Sequence, residues 1–259
     1  MFGYARSLFA AAALALSAMP ALSASVSVTD VDGTWGGPIP PNVVGLSGVG
    51  TSTMSWGRPW TQGGAQSAYG FTGSPVGLIE TDVAFDLGVF THFNNPIAIR
   101  RANSSIRAAQ LSVSIQIDLG DGAGPTQIDT VFDFLHDETR NSPLGPQDPL
   151  GGTCANGPNG VGVNVNGCAD RVRLVRNDAL STEFTIDGVL YALDITGFLF
   201  EGSLLTEFWT QEEATNSAVL RGILRTVGTP PEAPVPLPAA GWLLIAGVGA
   251  LALTRRRRG

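Results

Sequence analysis

Lysine is absent from all 259 residues, so each of the 15 basic side chains is an arginine. A phosphate-cradling glycine loop that ends in lysine is thereby excluded. Histidine is limited to His92 and His136, which form no His-Glu-x-x-His zinc motif. No Gly-x-Ser-x-Gly elbow presents a nucleophilic serine. No internal repeat is visible, and no stretch of the middle shows a helical apolar stripe ended by caps. Positive charge is scarce where it would matter. Arg6, Arg255, Arg256, Arg257 and Arg258 lie at the extreme ends, which leaves ten arginines against 22 acids, a balance of −12. That balance argues against nucleic acid or anionic lipid as a partner of the folded part. Cysteine occurs twice, as Cys154 and Cys168. An even count in an exported chain points to a disulfide. A metal site is the weaker alternative, since two thiolates need further ligands and no histidine is near in sequence.

What is present begins with two apolar ends. Residues 1–24 carry Arg6 in a short positive region, an apolar run from Leu8 to Ala18, the break at Pro20 and small residues after it. This is the pattern of a cleaved signal peptide, with cutting expected after Ser23 or Ala24. The run is short for a spanning helix, which disfavours an uncleaved anchor. At the other end Leu237 to Leu253 is almost wholly apolar. At 1.5 Å per residue it covers about 25 Å, the low end for a bilayer. Four consecutive arginines follow and would stay in the cytoplasm. A transmembrane helix is therefore expected over 237–254, an arginine cluster over 255–259, and a Pro-rich stalk and sorting box over 230–238. The domain between, 25–229, would lie on the far side of the inner membrane.

The order of Val235-Pro236-Leu237-Pro238-Ala239, one apolar helix, then Arg255 to Arg258 resembles the sorting tail of PEP-CTERM proteins. Leu237 stands where the namesake motif has Glu. The resemblance implies export in a Gram-negative bacterium, removal of the leader by signal peptidase, and processing near the Pro box by an exosortase. Release or transfer to the cell surface or extracellular matrix would follow. An ordinary single-pass tail anchor is the alternative.

The middle reads as strands. Leu111, Val113, Ile115 and Ile117 alternate with polar residues, and so do Val83, Phe85, Leu87 and Val89. Phe184 and Ile186, then Asp187-Gly188, then Val189, Tyr191, Leu193 and Ile195 predict a hairpin, because Asp-Gly suits the positive φ of a tight turn. Ile128 to His136, Arg171 to Arg176 and Ala218 to Val227 are further strands. The fold class expected is all-β, an antiparallel sandwich of jelly-roll-like type. The turn-rich loop from Asn141 to Gly167 is long, and a Cys154–Cys168 bridge would close part of it.

Four strings resemble the choice-of-anchor K domain: Gly50-Thr51-Ser52 running to Trp56-Gly57, Phe90-Thr91-His92-Phe93-Asn94-Asn95-Pro96-Ile97, Phe134-Leu135-His136-Asp137-Glu138-Thr139-Arg140-Asn141, and Cys168-Ala169-Asp170-Arg171-Val172. That module occurs in surface proteins with varied anchors, and the resemblance implies no known chemistry.

Candidate functional residues follow. His92, Asn94, Asn95, His136 and Glu138 are expected to fix turns by bonding loop backbone. The competing roles are general base and metal ligand. Asp118, Asp121 and Asp129 around a Gly-rich turn suggest a loop site for calcium, though their spacing matches no EF-hand. Glu80, Asp82 and Asp86 form a second acidic group. Trp35, Trp56, Trp60 and Tyr69 either stack on sugars or fill the core. The expected function is passive, a structural or interaction role in the exopolysaccharide or biofilm matrix, without cofactor or catalysis. The alternatives are a carbohydrate-binding module, with Trp56 and Trp60 as its platform, and a secreted hydrolase, which requires His92 and His136 to converge with a carboxylate.

Overall fold

The computed structural model describes residues 25–74, 77–118, 122, 124–139, 153–175, 183–186 and 188–228. The expected signal peptide, stalk, sorting box, membrane helix and arginine cluster lie outside the described residues, as do Asp121 and residues 141–152 of the long loop. Among the described residues no helix is long and apolar enough to cross a membrane.

Period-two alternation dominates the described chain, and the structure is accordingly all-β. The strands are β1 (Ser25–Ile39), β2 (Thr53–Trp56), β3 (Ser67–Gly73), β4 (Leu78–Glu80), β5 (Ala84–Asn94), β6 (Ala108–Asp118), β7 (Thr126–Asp137), β8 (Thr153–Cys154), β9 (Gly157–Pro158), β10 (Asp170–Val175), β11 (Glu183–Ile186), β12 (Val189–Phe200), β13 (Ser203–Leu205), β14 (Glu207–Thr210) and β15 (Ala214–Gly228). One 3-10 turn, Gly162–Asn164, is the sole helical element among the described residues.

Two antiparallel sheets pack face to face. The first runs β14-β10-β7-β6-β1-β4, and the second runs β11-β12-β15-β5-β3-β2 with β13 beside β12. Both faces that meet are lined by side chains from alternate positions. On β6, Leu111, Val113, Ile115 and Ile117 are buried as the alternation predicts. The expected hairpin also forms, with Ile186 opposite Val189 and Gly188 at φ +77°. Aromatic rings fill the middle of the interface. Trp35 of the first sheet meets Tyr69 of the second at 5.0 Å between ring centroids, and Phe90 stacks on Phe134 at 5.9 Å. Each such pair contributes about 0.5–1.5 kcal/mol beyond area burial.

The alternation expected on β5 fails at one point, with consequences for the site. Phe85 and Leu87 face inward, but the inward row then passes to Phe90, His92 and Asn94, not to Val89. A β-bulge causes the shift: Leu220 pairs with Gly88 while Arg221 pairs with Asp86, so Leu87 is an extra residue on β5. A single extra residue exchanges the two faces of everything beyond it. Val83, expected on the buried face, is exposed.

Candidate functional site

Aromatic rows give way to polar ones at one end of the interface. On β5 the inward row reads Phe90, His92, Asn94. On β7 it reads Phe134, His136, and then Glu138 just past the strand. On β14 it reads Phe208, Thr210, and then Glu212. On β10 it reads Val172, then Asp170 at the strand's first residue. Ladder pairing aligns these ends, with Thr210 opposite Asp170 and His136 opposite Val172. Both histidines of the chain therefore meet, their ring centroids 5.3 Å apart. His92, Asn94, Asp170 and Thr210 are 0 % exposed, and Glu212 is 1 % exposed.

Hydrogen bonds hold one atom of each group. Tyr69 Oη lies 2.6 Å from His136 Nδ1, and His136 Nε2 lies 3.1 Å from Glu138 Oε2. The Ser105 hydroxyl donates to that same Glu138 oxygen at 2.8 Å, and Trp56 Nε1 donates to Ser105 Oγ at 3.0 Å. Thr139 N donates to Asp170 Oδ1 at 2.6 Å. The Thr210 hydroxyl donates to the Asp170 carbonyl at 3.2 Å, and His92 Nδ1 lies 2.8 Å from the same hydroxyl oxygen. A hydroxyl has one proton to give. With that proton on the Asp170 carbonyl, His92 Nδ1 is the donor and Nε2 the lone pair; in either tautomer His92 Nε2 meets no partner.

A second atom of five of these side chains is unpartnered, whereas His136 has both nitrogens engaged. His92 Nε2, Asp170 Oδ2, Glu138 Oε1, Glu212 Oε2 and Asn94 Oδ1 are buried without a hydrogen bond. One donor atom from each of His92, His136 and Asp170 lies within 4.8 Å of the others, and the same holds for Glu138, Asp170 and Glu212. Asp170 belongs to both groups. No arginine among the described residues forms an ion pair with these three carboxylates; Arg171 and Arg173 are engaged by Asp137, with Arg171 also near Glu207.

Titration behaviour follows from this burial. Desolvation lifts Glu138 to about 7, against the opposing Ser105 hydrogen bond. It lifts Glu212 to about 10, helped by the charges of Asp170 and Glu138. Asp170 is raised well above the ordinary Asp value by burial and by Glu138. Burial pushes His92 well down, with His136 adding to the effect. It also lowers His136, while Asp170 and Asp137 pull the other way. The Tyr69 phenol is driven up by burial and then by Asp170 and Glu138. Burial penalises the charged form of each group, and among the described residues no arginine pairs with the carboxyls to offset it.

A cleft of about 560 Å³ borders the cluster, lined by His136, Glu138, Ser105, Arg100, Arg101 and Arg107 among others. The disulfide adjoins the site through Thr139. Cys154 is bonded to Cys168, two residues before Asp170, and the Cys168 carbonyl accepts from Thr139 Oγ1 at 2.6 Å.

Several expectations are corrected by these positions. Neither His92 nor His136 fixes a turn through loop backbone; each imidazole bonds side chains inside the sandwich. Asn94 binds the Thr210 carbonyl, and only Asn95 does the turn work expected, donating to Gln66 O at 2.9 Å. Trp56 is no sugar platform, being 0 % exposed, and Trp35 and Tyr69 are core residues too. Trp60 remains half-buried beside a cleft of about 520 Å³ with Arg58 and Arg100. The acids proposed for calcium are apart: Asp129 pairs with Ser114, four residues before Asp118 on β6. At about 3.4 Å per residue the two are roughly 14 Å apart along the strand. Asp82 binds Thr226, and Asp86 pairs with Arg221. The hydrolase geometry is met in distance, since both histidines lie at Asp170. Among the described residues no serine bonds either imidazole, however; Ser105 bonds Glu138 instead.

Asp170, Thr210 and Glu212 escaped the sequence reading. The signal for Thr210 and Glu212 is the repeated spacing Phe-x-His-x-Glu, Phe-x-Thr-x-Glu and Phe-x-His-x-Asn, in which an inward aromatic row ends in polar residues; Asp170 lies in no such string. No protein-family model matches the chain, and no curated protein matches it either.

Proposed function

We propose that the protein is exported and works outside the cytoplasm as a structural or interaction domain of the cell surface or extracellular matrix. The observation that carries this reading is the Cys154–Cys168 disulfide. Such bonds persist in oxidising compartments and are rare in the cytosol. The acidic balance and the PEP-CTERM-like order of Pro box, apolar run and arginines support it. On this reading residues 1–24 are removed by signal peptidase and the tail is processed by an exosortase after passage through the inner membrane. The choice-of-anchor K-like sandwich is then displayed, and the way the chain crosses repeatedly between its two sheets supports a jelly-roll-like arrangement. The role is non-enzymatic, with exopolysaccharide as the matrix partner.

Intact mass of the protein recovered outside its native host tests the reading. The expected mass lacks the leader and the segment beyond the Pro box, and it shows the deficit of one disulfide. A full-length chain with two free thiols in the cytosol overturns it.

A carbohydrate-binding reading keeps one specific support, the half-buried Trp60 beside Arg58 and Arg100. If it holds, Trp60→Ala abolishes retention on the host's exopolysaccharide without moving Tm.

A further inference from the structure

Several side-chain atoms at the buried end of the sandwich meet no hydrogen-bond partner. His92 Nε2, Asp170 Oδ2, Glu138 Oε1 and Glu212 Oε2 are all bare, while the other polar atom of each side chain contacts a neighbour. Buried polar groups are nearly always partnered, and leaving one bare destabilises the fold. A cation between them, taking the place of the protons that burial holds on the carboxyls, satisfies several such atoms at once. The fixed partners are those that orient metal ligands. Thr210 sets the ring of His92, and Thr139 N turns one oxygen of Asp170 away so that the other is offered. Such outer contacts fix tautomer and direction in metal sites.

We propose that His92, His136 and Asp170 bind one divalent transition-metal ion of the zinc class, with Glu138 and Glu212 completing the donor set. Two imidazoles select this class; calcium takes oxygen ligands. His92 comes from the second sheet, and His136 and Asp170 come from the first. The ion therefore ties the two sheets together at their polar end. His136 Nε2 gives up its contact with Glu138 to serve as a ligand, and its Nδ1 then donates to Tyr69. Asp170 already stands 4.0 Å from that nitrogen. The site stands whether or not the protein is exported.

The test uses the full-length chain, purified with its disulfide formed, stripped with a chelator and titrated with Zn²⁺ and, separately, with Ca²⁺. One Zn²⁺ binds per chain, and at a hundredfold excess over Kd the Tm rises by about 5–10 °C. Ca²⁺ has no comparable effect. Asp170→Asn keeps the shape and replaces the buried ionisable oxygen by an amide, so its metal-free Tm equals or exceeds that of the stripped wild type, yet Zn²⁺ binds at least about a hundredfold more weakly. His92→Gln loses Zn²⁺ binding likewise, and Trp60→Ala binds as the wild type does. Absence of Zn²⁺ binding, a Tm that responds to Ca²⁺ but not Zn²⁺, or unchanged affinity in Asp170→Asn overturns the proposal.

Discussion

Trp56 shows what one residue can decide. It is wholly buried, stacks on His92 at 5.8 Å between ring centroids and donates to Ser105, which in turn holds Glu138. Trp56→Ala removes both a core ring and the outermost link of the polar chain, and should cost about 3–5 kcal/mol. Chemical denaturation would register this as a lower midpoint. The buried acids predict a pH dependence whose sign can be worked out. Glu138 at about 7 and Glu212 at about 10 stand above the ordinary Glu value of 4.5, as Asp170 stands above its own. A carboxylate raised on folding stabilises the fold at low pH, and that contribution is lost as pH rises through the folded value. The lowered histidines act in the opposite sense. Their contribution is full above 6.5 and fades as pH falls. Above 6.5 the carboxylates alone change in the range of interest, because raised Tyr69 titrates beyond it. With metal chelated, Tm should fall by several degrees between pH 6.5 and about pH 9. A Tm flat or rising over that range would contradict the burial of these acids.

Among the elements, β5 carries the most instructive difference between sequence and structure. Its alternation is plain in Phe85 and Leu87, and the face they occupy was legible. The bulge at Leu87 was not, because it is set by pairing with β15, 130-odd residues away, and by nothing local in the string. Beyond it His92 and Asn94 turn inward, which is why they read as turn residues in sequence and act as interior ones in the fold. β6, β7 and the β11–β12 hairpin were legible because local alternation and Asp-Gly chemistry suffice for them. The 15-residue β1 was not, since its glycines and aspartates dilute the pattern. One of its contacts explains a glycine elsewhere. A Cβ on Gly73 of β3 would sit 1.8 Å from the Val31 carbonyl of β1. Gly73→Ala should therefore destabilise by about 1–3 kcal/mol, read from the denaturation midpoint. The disulfide also acts at this scale. Closing a loop of 14 residues contributes about 3 kcal/mol. Cys154→Ser with Cys168→Ser should show that loss, together with weaker Zn²⁺ binding, because the bridge ends two residues before Asp170. Unchanged affinity in that variant would detach the loop from the site.

The whole molecule joins a dry end and a polar end. Rings such as Phe90, Phe134 and Phe198 hold the sheets by packing, each contributing about 1.5–3 kcal/mol through burial. At the other end His92, His136, Asp170, Glu138 and Glu212 replace them with charge and lone pairs. The sequence displayed His92, Asn94, His136 and Glu138 as candidates, but it could not show that four strands finish at the same level. That alignment is a property of ladder register between distant segments, and it brings Asp170 and Glu212 into the group. A sandwich clamped at both ends should exchange its amide hydrogens slowly on β5, β7 and β10 when metal is bound, and faster near Asp170 once metal is removed. The most direct measurement is anomalous X-ray diffraction at the zinc edge from crystals of the Zn²⁺-loaded protein. The account predicts one strong peak bounded by His92, His136 and Asp170. A peak only at the surface, or none between the sheets, would contradict it.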